Sequence, residues 1–179
     1  HLAAVYASFS STEQIFTNNK TAEFIKYASN ALLATMISYS NELAGLAARL
    51  GDVDIADVLA GVHASSYLTT YGVDGIPTRA GITSFLGAGC GFGGSCLPKD
   101  VKALAAQGND LGLPMRMLNS VIKINQGQPG ELLDLFRKHG DLKGQVVSVL
   151  GVAFKPDTDD VRETPALPII GALLKEGAI

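Results

Sequence analysis

The chemistry this chain offers is concentrated in one glycine-rich stretch, Gly87-Ala88-Gly89-Cys90-Gly91-Phe92-Gly93-Gly94-Ser95-Cys96-Leu97-Pro98-Lys99-Asp100. Pro98 suits a first helical position, so Cys96 falls just before a helix start. The unpaired N–H groups and positive dipole end found there favour a thiolate, the form of cysteine that attacks carbonyl carbon. The surrounding glycines let backbone approach a ligand without an intervening Cβ. Asp100, four residues on, is placed to orient water or act as a general base in the same cavity. Spacing alone leaves a plainer reading open, with Cys96 a small buried apolar side chain and Asp100 a first-turn helix acid. Cys90 has neither a helix start nor a charged partner after it and reads as structural. Gly89, Gly91 and Gly94 match G-x-G-x-x-G, but no clear buried strand precedes them. They do not form a strand-turn-helix unit with its downstream acid, so the match is a weak sign of a dinucleotide site.

Lys26 and Asn30 form a second group. At i and i+4 they share one helix face and prolong an apolar stripe through Leu33 and Ile37, where a cation and an amide can stabilise an oxyanion. Residue types alone favour a solvated lysine and an asparagine at a helix bend. The third group is the run from Phe154 to Pro165, which holds Lys155 and Arg162 after an apolar segment. A loop at the carboxyl end of a strand is where α/β folds bind ligands, and both cations suit phosphate oxygens. A solvated charged turn with Thr164 capping a helix before Pro165 explains the run equally well.

The elements that must position these groups are mostly helical. Residues 19–50 lack Pro and have one Gly, with N-cap candidates at Thr17, Asn18 and Asn19, Glu23 as a first-turn acid, and Gly51 as a stop. Apolar positions at Phe24, Ala28, Ala31, Leu32, Tyr39 and Leu43, with a second stripe through Leu33 and Ile37, predict a helix that is central or shared with a partner. An irregular serine-rich start over residues 6–17 precedes it. A second helix is expected over 54–66, a loop over 67–94, a helix over 99–107 stopped by Gly108, and another over 115–138. Gly127, Pro129 and Gly130 are expected to break or kink the last of these. Residues 145–150 read as a strand, residues 165–175 as the helix behind it, and the chain ends in what reads as an unfinished helix.

Composition narrows the function classes. Hydrophobic residues make up 47% of 179 and charged residues 17%, which suits a globular core. A net charge of −3 without a basic cluster argues against nucleic acid as main partner. No apolar run approaches the ~18 residues of a membrane span. His1, His63 and His139 are far apart and define no metal set. Two cysteines in one loop imply a reducing, cytoplasmic compartment rather than a stapled fold.

In order along the chain, Thr21-Ala22-Glu23-Phe24-Ile25-Lys26-Tyr27-Ala28-Ser29-Asn30, Gly91-Phe92-Gly93-Gly94-Ser95-Cys96-Leu97-Pro98-Lys99-Asp100 and Leu150-Gly151-Val152-Ala153-Phe154-Lys155-Pro156-Asp157-Thr158-Asp159-Asp160-Val161-Arg162 resemble signatures of the UDP-glucose/GDP-mannose dehydrogenase family. The resemblance runs from about residue 15 to the end. It implies a mainly α fold: a helical dimerisation domain with a long central helix over residues 1–140, similar to the C-terminal domain of 6-phosphogluconate dehydrogenase. The start of a Rossmann-like α/β nucleotide-sugar domain would follow over 141–179. It also implies that the N-terminal Rossmann domain is absent, and with it the true NAD fingerprint and the family's assisting Thr and Glu, so that the isolated chain should not turn over.

By the same matching, Cys96 corresponds to the nucleophile, Lys26 and Asn30 to the pair that stabilises an oxyanion and positions water, and Asp100 to their acid/base partner. Phe92, Gly93, Lys155 and Arg79 would bind substrate, with Arg79 in Pro77-Thr78-Arg79-Ala80-Gly81 standing for an arginine that reaches a neighbouring subunit's site. Arg162 would face NAD. Met36 replaces a lysine common in the family and reads as packing. The implied reaction oxidises C6 of UDP-glucose to the carboxylate by two hydride transfers to NAD, through a thiohemiacetal and a thioester on cysteine. The glycine-loop string is also similar to GDP-mannose enzymes, and UDP-N-acetylhexosamines are further candidates. The alternative from another class is a helical dimerisation module without activity.

Overall fold

The computed structural model describes residues 2–9 and 13–179. His1 and residues 10–12, within the expected irregular start, lie outside them. A short helix α1 (Leu2–Tyr6) precedes the dominant element, α2 (Asn19–Leu50). Of the three candidate caps Asn18 does the capping, its side-chain oxygen accepting from the Thr21 N–H at 2.9 Å. Gly51, at φ 72°, ends the helix and donates to the Ala47 carbonyl. Glu23 lies past the first turn, which holds no acid.

Helix α2 presents its two stripes to different surroundings. Ala31, Ala34 and Ile37 enter the core with Leu33 and Met36 packed beside them, while Phe24, Leu32, Tyr39 and Leu46 are exposed. Helix α3 (Ile55–His63) follows, capped by Asp54, whose carboxylate accepts from the Ala56 N–H at 2.7 Å. The segment expected as loop contains more order than its glycines suggest. Strands β1 (Thr69–Tyr71) and β2 (Pro77–Arg79) pair antiparallel, Thr69 opposite Arg79, and a 3-10 turn covers Gly81–Phe85. Three-residue strands carry too little alternation to be seen as a pattern.

Helix α4 (Leu97–Asp110) starts one residue before Pro98 and runs past Gly108. Gly108 is not a stop. It is buried, and a Cβ there would meet Met115 Cγ at 2.1 Å, so glycine serves to let Met115 lie against the helix. Helix α5 (Arg116–Arg137) is likewise continuous through Pro129 rather than broken.

Helices α2, α4 and α5 pack on one another around Ala31, Ala34, Ile37, Phe92, Val101 and Val121. A second core gathers Leu133 of α5, Leu142, Ala178, and Ile169 and Leu173 of α6 (Ala166–Lys175). Helix α5 thus contributes to both cores.

Residues 145–150 form no assigned strand, contrary to the expectation from their apolar run. They are nonetheless placed as one. The Ile179 N–H donates to the Gln145 carbonyl at 2.8 Å, and the Ile179 carbonyl accepts from the Val147 N–H at 2.9 Å. One residue bonding to both flanks of its opposite number is the parallel pattern, and α6 is the crossover between the two segments. The chain's end is therefore extended; α6 closes at Lys175.

Candidate active site

Lys26, Asn30 and Asp100 are far apart in sequence and meet where α2 packs on α4. Asp100 is fully buried. Its Oδ2 accepts from the Lys26 ammonium and, at 2.6 Å, from the Asn30 amide; its Oδ1 accepts from the Lys99 ammonium at 2.6 Å. Both ammoniums also lie near the Tyr27 ring, 5.4 and 5.0 Å from its centroid, within cation–π range. Burial pushes the Asp100 carboxyl up, but the hydrogen bonds from Lys26, Lys99 and Asn30 outweigh burial and bring it down to about 2. An ionised carboxylate at neutral pH, acceptor to three donors, is the result.

Cys96 sits at the start of α4, one turn from Asp100, whose N–H donates to the Cys96 carbonyl at 2.9 Å. The thiol is exposed, so the reading of Cys96 as a buried apolar side chain does not hold. It lines a cavity of about 280 Å³ together with Phe92, Gly93, Phe154 and Lys155. Cys90, half-buried, packs against the second core. Asp100 itself lies behind the wall of that cavity, not in it.

The glycines of the loop are explained by what presses on them. A Cβ at Gly93 would lie 2.4 Å from the Glu163 carbonyl oxygen, and one at Gly94 2.8 Å from the Phe154 ring. Gly94, at φ 81°, donates its N–H to the Arg162 carbonyl at 2.8 Å. The segment 154–163 thus docks on the loop, and Lys102 of α4 reinforces the docking with 3.0 Å bonds to both Glu163 carboxylate oxygens.

Five of the expected residues do not line this cavity: Lys26, Asn30 and Asp100, which form their own cluster, and Arg79 and Arg162. Arg79 is exposed on β2. Arg162 forks onto Asp160 at 2.9 and 2.7 Å and holds that carboxyl down to about 2. Two residues that sequence reasoning missed hold the loop in place. Asn41 of α2 accepts from the Gly89 N–H at 2.8 Å, and Asn125 of α5 bonds both the N–H and the carbonyl of Phe92. An asparagine within a helix carries no local sign of such a task. Among the described residues no cluster of His, Cys, Asp and Glu could hold a metal, and no helix is long and apolar enough to cross a membrane.

The site thus sets an exposed thiol at a helix start one turn from a buried carboxylate that accepts from two ammoniums and an amide, within a mainly helical domain. The profile of the UDP-glucose/GDP-mannose dehydrogenase family central domain matches residues 20–127, and that of the family's UDP-binding domain matches residues 148–179. The chain belongs to this family. It is 45% identical over 162 residues to the UDP-glucose 6-dehydrogenase AglM of Haloferax volcanii, covering 90% of this chain and 34% of that protein. It is 44% identical over 165 residues to the UDP-glucose 6-dehydrogenase TuaD of Bacillus subtilis, covering 92% of this chain and 33% of that protein. A UDP-glucose dehydrogenase structure from Pyrobaculum islandicum superposes on 99% of this chain and 38% of its own, with a TM-score of 0.84 and 38% identity. The chain thus spans about a third of the length of the curated relatives it matches.

Proposed function

We propose that this chain carries the covalent chemistry of an NAD-dependent nucleotide-sugar 6-dehydrogenase whose substrate is UDP-glucose. One arrangement carries the reading: an exposed thiol in a cavity wall, one helical turn from a buried carboxylate that holds an ammonium and an amide. Family membership and the names of the relatives supply the substrate class.

The Cys96 thiolate adds to the C6 aldehyde carbon, and the negative charge passes to the carbonyl oxygen. Lys26 and Asn30, oriented by Asp100, donate to that oxygen. At the end of the cycle the same pair stabilises the oxyanion formed when water attacks the thioester, which releases carboxylate and thiol. Asp100, ionised at neutral pH, is a positioning carboxylate and water-orienting acceptor rather than a proton donor. Phe92, Gly93 and Lys155 line the cavity, and the Lys155 ammonium suits a diphosphate oxygen.

NAD would accept the two hydrides. The described residues build no dinucleotide cradle: Gly89, Gly91 and Gly94 face Asn41, Asn125 and Phe154 rather than opening a strand-turn-helix unit. Arg162, paired with Asp160 through Nε and Nη2, would face NAD with its Nη1 group. The helical unit over 1–140 and the nucleotide-sugar unit over 141–179 are the working division of the chain. The exposed stripe of α2 pairs two copies, and Arg79 on its exposed hairpin reaches the other copy's cavity. Both cysteines are free thiols, in keeping with a cytoplasmic enzyme.

The test is the yield of NADH per sugar by the full-length enzyme with UDP-glucose, UDP-N-acetylhexosamines and GDP-mannose, beside Cys96→Ser. Two NADH per UDP-glucose and loss of turnover in the variant are expected. One NADH per sugar, or a fully active variant, overturns the covalent reading; two NADH with a different sugar overturns the substrate.

A further inference from the structure

The loop that carries Cys96 contains five glycines between residues 87 and 94. A segment so composed has no preferred shape of its own, because glycine lacks the Cβ contacts that narrow backbone freedom. It is nevertheless held, and the holding is concentrated at Phe92. The Phe92 side chain is buried in the first core. Its main chain is bound at both polar atoms by one side chain: Asn125 Oδ1 accepts from the Phe92 N–H at 2.8 Å, and Asn125 Nδ2 donates to the Phe92 carbonyl at 3.0 Å. A side-chain amide is the group that can accept from an N–H and donate to the carbonyl of the same residue, as an adjacent strand would do.

The surroundings fit this use of Asn125. Gly91, at φ 101°, has the space for a Cβ occupied by Asn125 Oδ1 at 2.6 Å, so the glycine before Phe92 is what admits the amide. Pro129, four residues on in α5, has no N–H to give the Asn125 carbonyl, which leaves that turn of the helix without its usual bond at the residue that makes the clamp. Downstream of Phe92, Gly94 is tied to the Arg162 carbonyl. Upstream, Gly89 is tied to Asn41.

We propose that Asn125 is a positioning residue for the thiol: by fixing the Phe92 main chain it sets where the loop presents Cys96 and the cavity-lining Phe92 and Gly93. The claim that this matters for turnover rests on the reading of Cys96 as nucleophile. The claim that Asn125 fixes the loop does not.

The test uses the full-length protein with Asn125→Ala and Asn125→Asp, and Lys123→Ala on the exposed side of α5 as control. All carry Cys90→Ala, and alkylation by iodoacetamide is read by mass spectrometry on the peptide that contains Cys96. Amide hydrogen exchange is followed in two places, residues 89–96 and the buried part of α2. Loss of two hydrogen bonds, each worth about a kcal/mol, is expected to speed exchange at 89–96 by ~10-fold or more in Asn125→Ala. Exchange in α2 and in the control stays as in the parent. The Cys96 alkylation rate changes severalfold, and kcat for the sugar falls while its KM changes less.

Unchanged exchange and alkylation in Asn125→Ala overturn the proposal. So does acceleration that is equal in loop and α2, which is the mark of a purely global loss of stability. If Asn125→Ala does not fold, Asn125→Asp decides. It keeps an acceptor for the Phe92 N–H but sets a carboxylate against the Phe92 carbonyl, so its alkylation rate must depart from the parent; a parental rate overturns the proposal. An active Cys96→Ser enzyme would remove the nucleophile reading while leaving the exchange result standing, which keeps the two failures apart.

Discussion

Asp100 is the residue on which the proposed chemistry turns, because it accepts from Lys26, Asn30 and Lys99 together. Its folded-state pKa, about 2, lies below the ordinary value of 3.8. The stability it contributes is therefore complete above the ordinary value and is lost as pH falls from about 4 through about 2. Because Lys26 and Lys99 are each half exposed, solvent screens the pairs, and the contribution is at most about 2 kcal/mol. Urea midpoints measured from pH 6 to pH 2 are expected to show this acid loss in the parent and a shallower one in Asp100→Asn; equal slopes would remove the carboxylate from the account. Lys26→Met is expected to lower kcat of the full-length enzyme by ~10²–10³-fold, the effect of losing one oxyanion donor, and to lower the thermal midpoint as well, because buried Asp100 loses one of its two ammonium partners. At this scale the sequence was legible through types and resemblance rather than spacing. Lys26 and Asn30 could be put on one face from their i, i+4 separation. That Asp100, 70 residues later, closes on them is a fact of helix packing that no local pattern contains. Asn41 and Asn125 went unseen for the same reason.

Among the elements, the glycine loop and the segment 154–163 that docks on it show how backbone shape is built by exclusion. Gly94 is at positive φ and its Cβ position is taken by the Phe154 ring. Gly94→Ala is expected to cost about 1–3 kcal/mol through backbone strain and displacement of Phe154. Gly87→Ala, where nothing stands within 4 Å and φ is not positive, is expected to be neutral or slightly stabilising. Denaturant midpoints of the two variants check the contrast, and equal losses would mean that the loop is not held by its docking. The long elements were readable because periodicity, caps and breakers agree: α2 begins beside its asparagine cap and ends at its glycine. Glycine and proline misled where their neighbours decide. Gly108 stays inside α4 to receive Met115, and α5 runs through Pro129 because both of its ends are anchored, one in each core. The apolar run at 145–150 has the composition of a buried strand, but a strand is a relation between segments, and only the bonds to Ile179 supply one here.

At the scale of the whole molecule, α2 poses a problem of surface. Ile25, Leu32, Tyr39 and Leu46 recur every seven residues and all are exposed, the last three by more than half. A seven-residue repeat drifts by only ~20° per heptad on a straight helix, so these side chains stay on one side over most of its length. Leu50 extends the stripe at the carboxyl end. The opposite side carries Ala31, Ala34, Ile37 and Asn41 into the core and the loop, so the apolar stripe is surplus to the fold of a single copy. A second copy of the same helix, related by a two-fold axis, matches it in chemistry and in length. In such a pairing each substitution acts twice. Burial of one leucine side chain is worth roughly 1.5–3 kcal/mol, so Leu32→Glu with Leu46→Glu would remove apolar contact at four positions and set like charges near the axis. Sedimentation velocity is expected to give a dimer for the parent and a monomer for the double variant, with circular dichroism unchanged because neither leucine enters the core. A variant that sediments like a dimeric parent would mean that the copies meet elsewhere and that this stripe faces a different part of the longer polypeptide. A monomeric parent would exclude pairing through α2 outright.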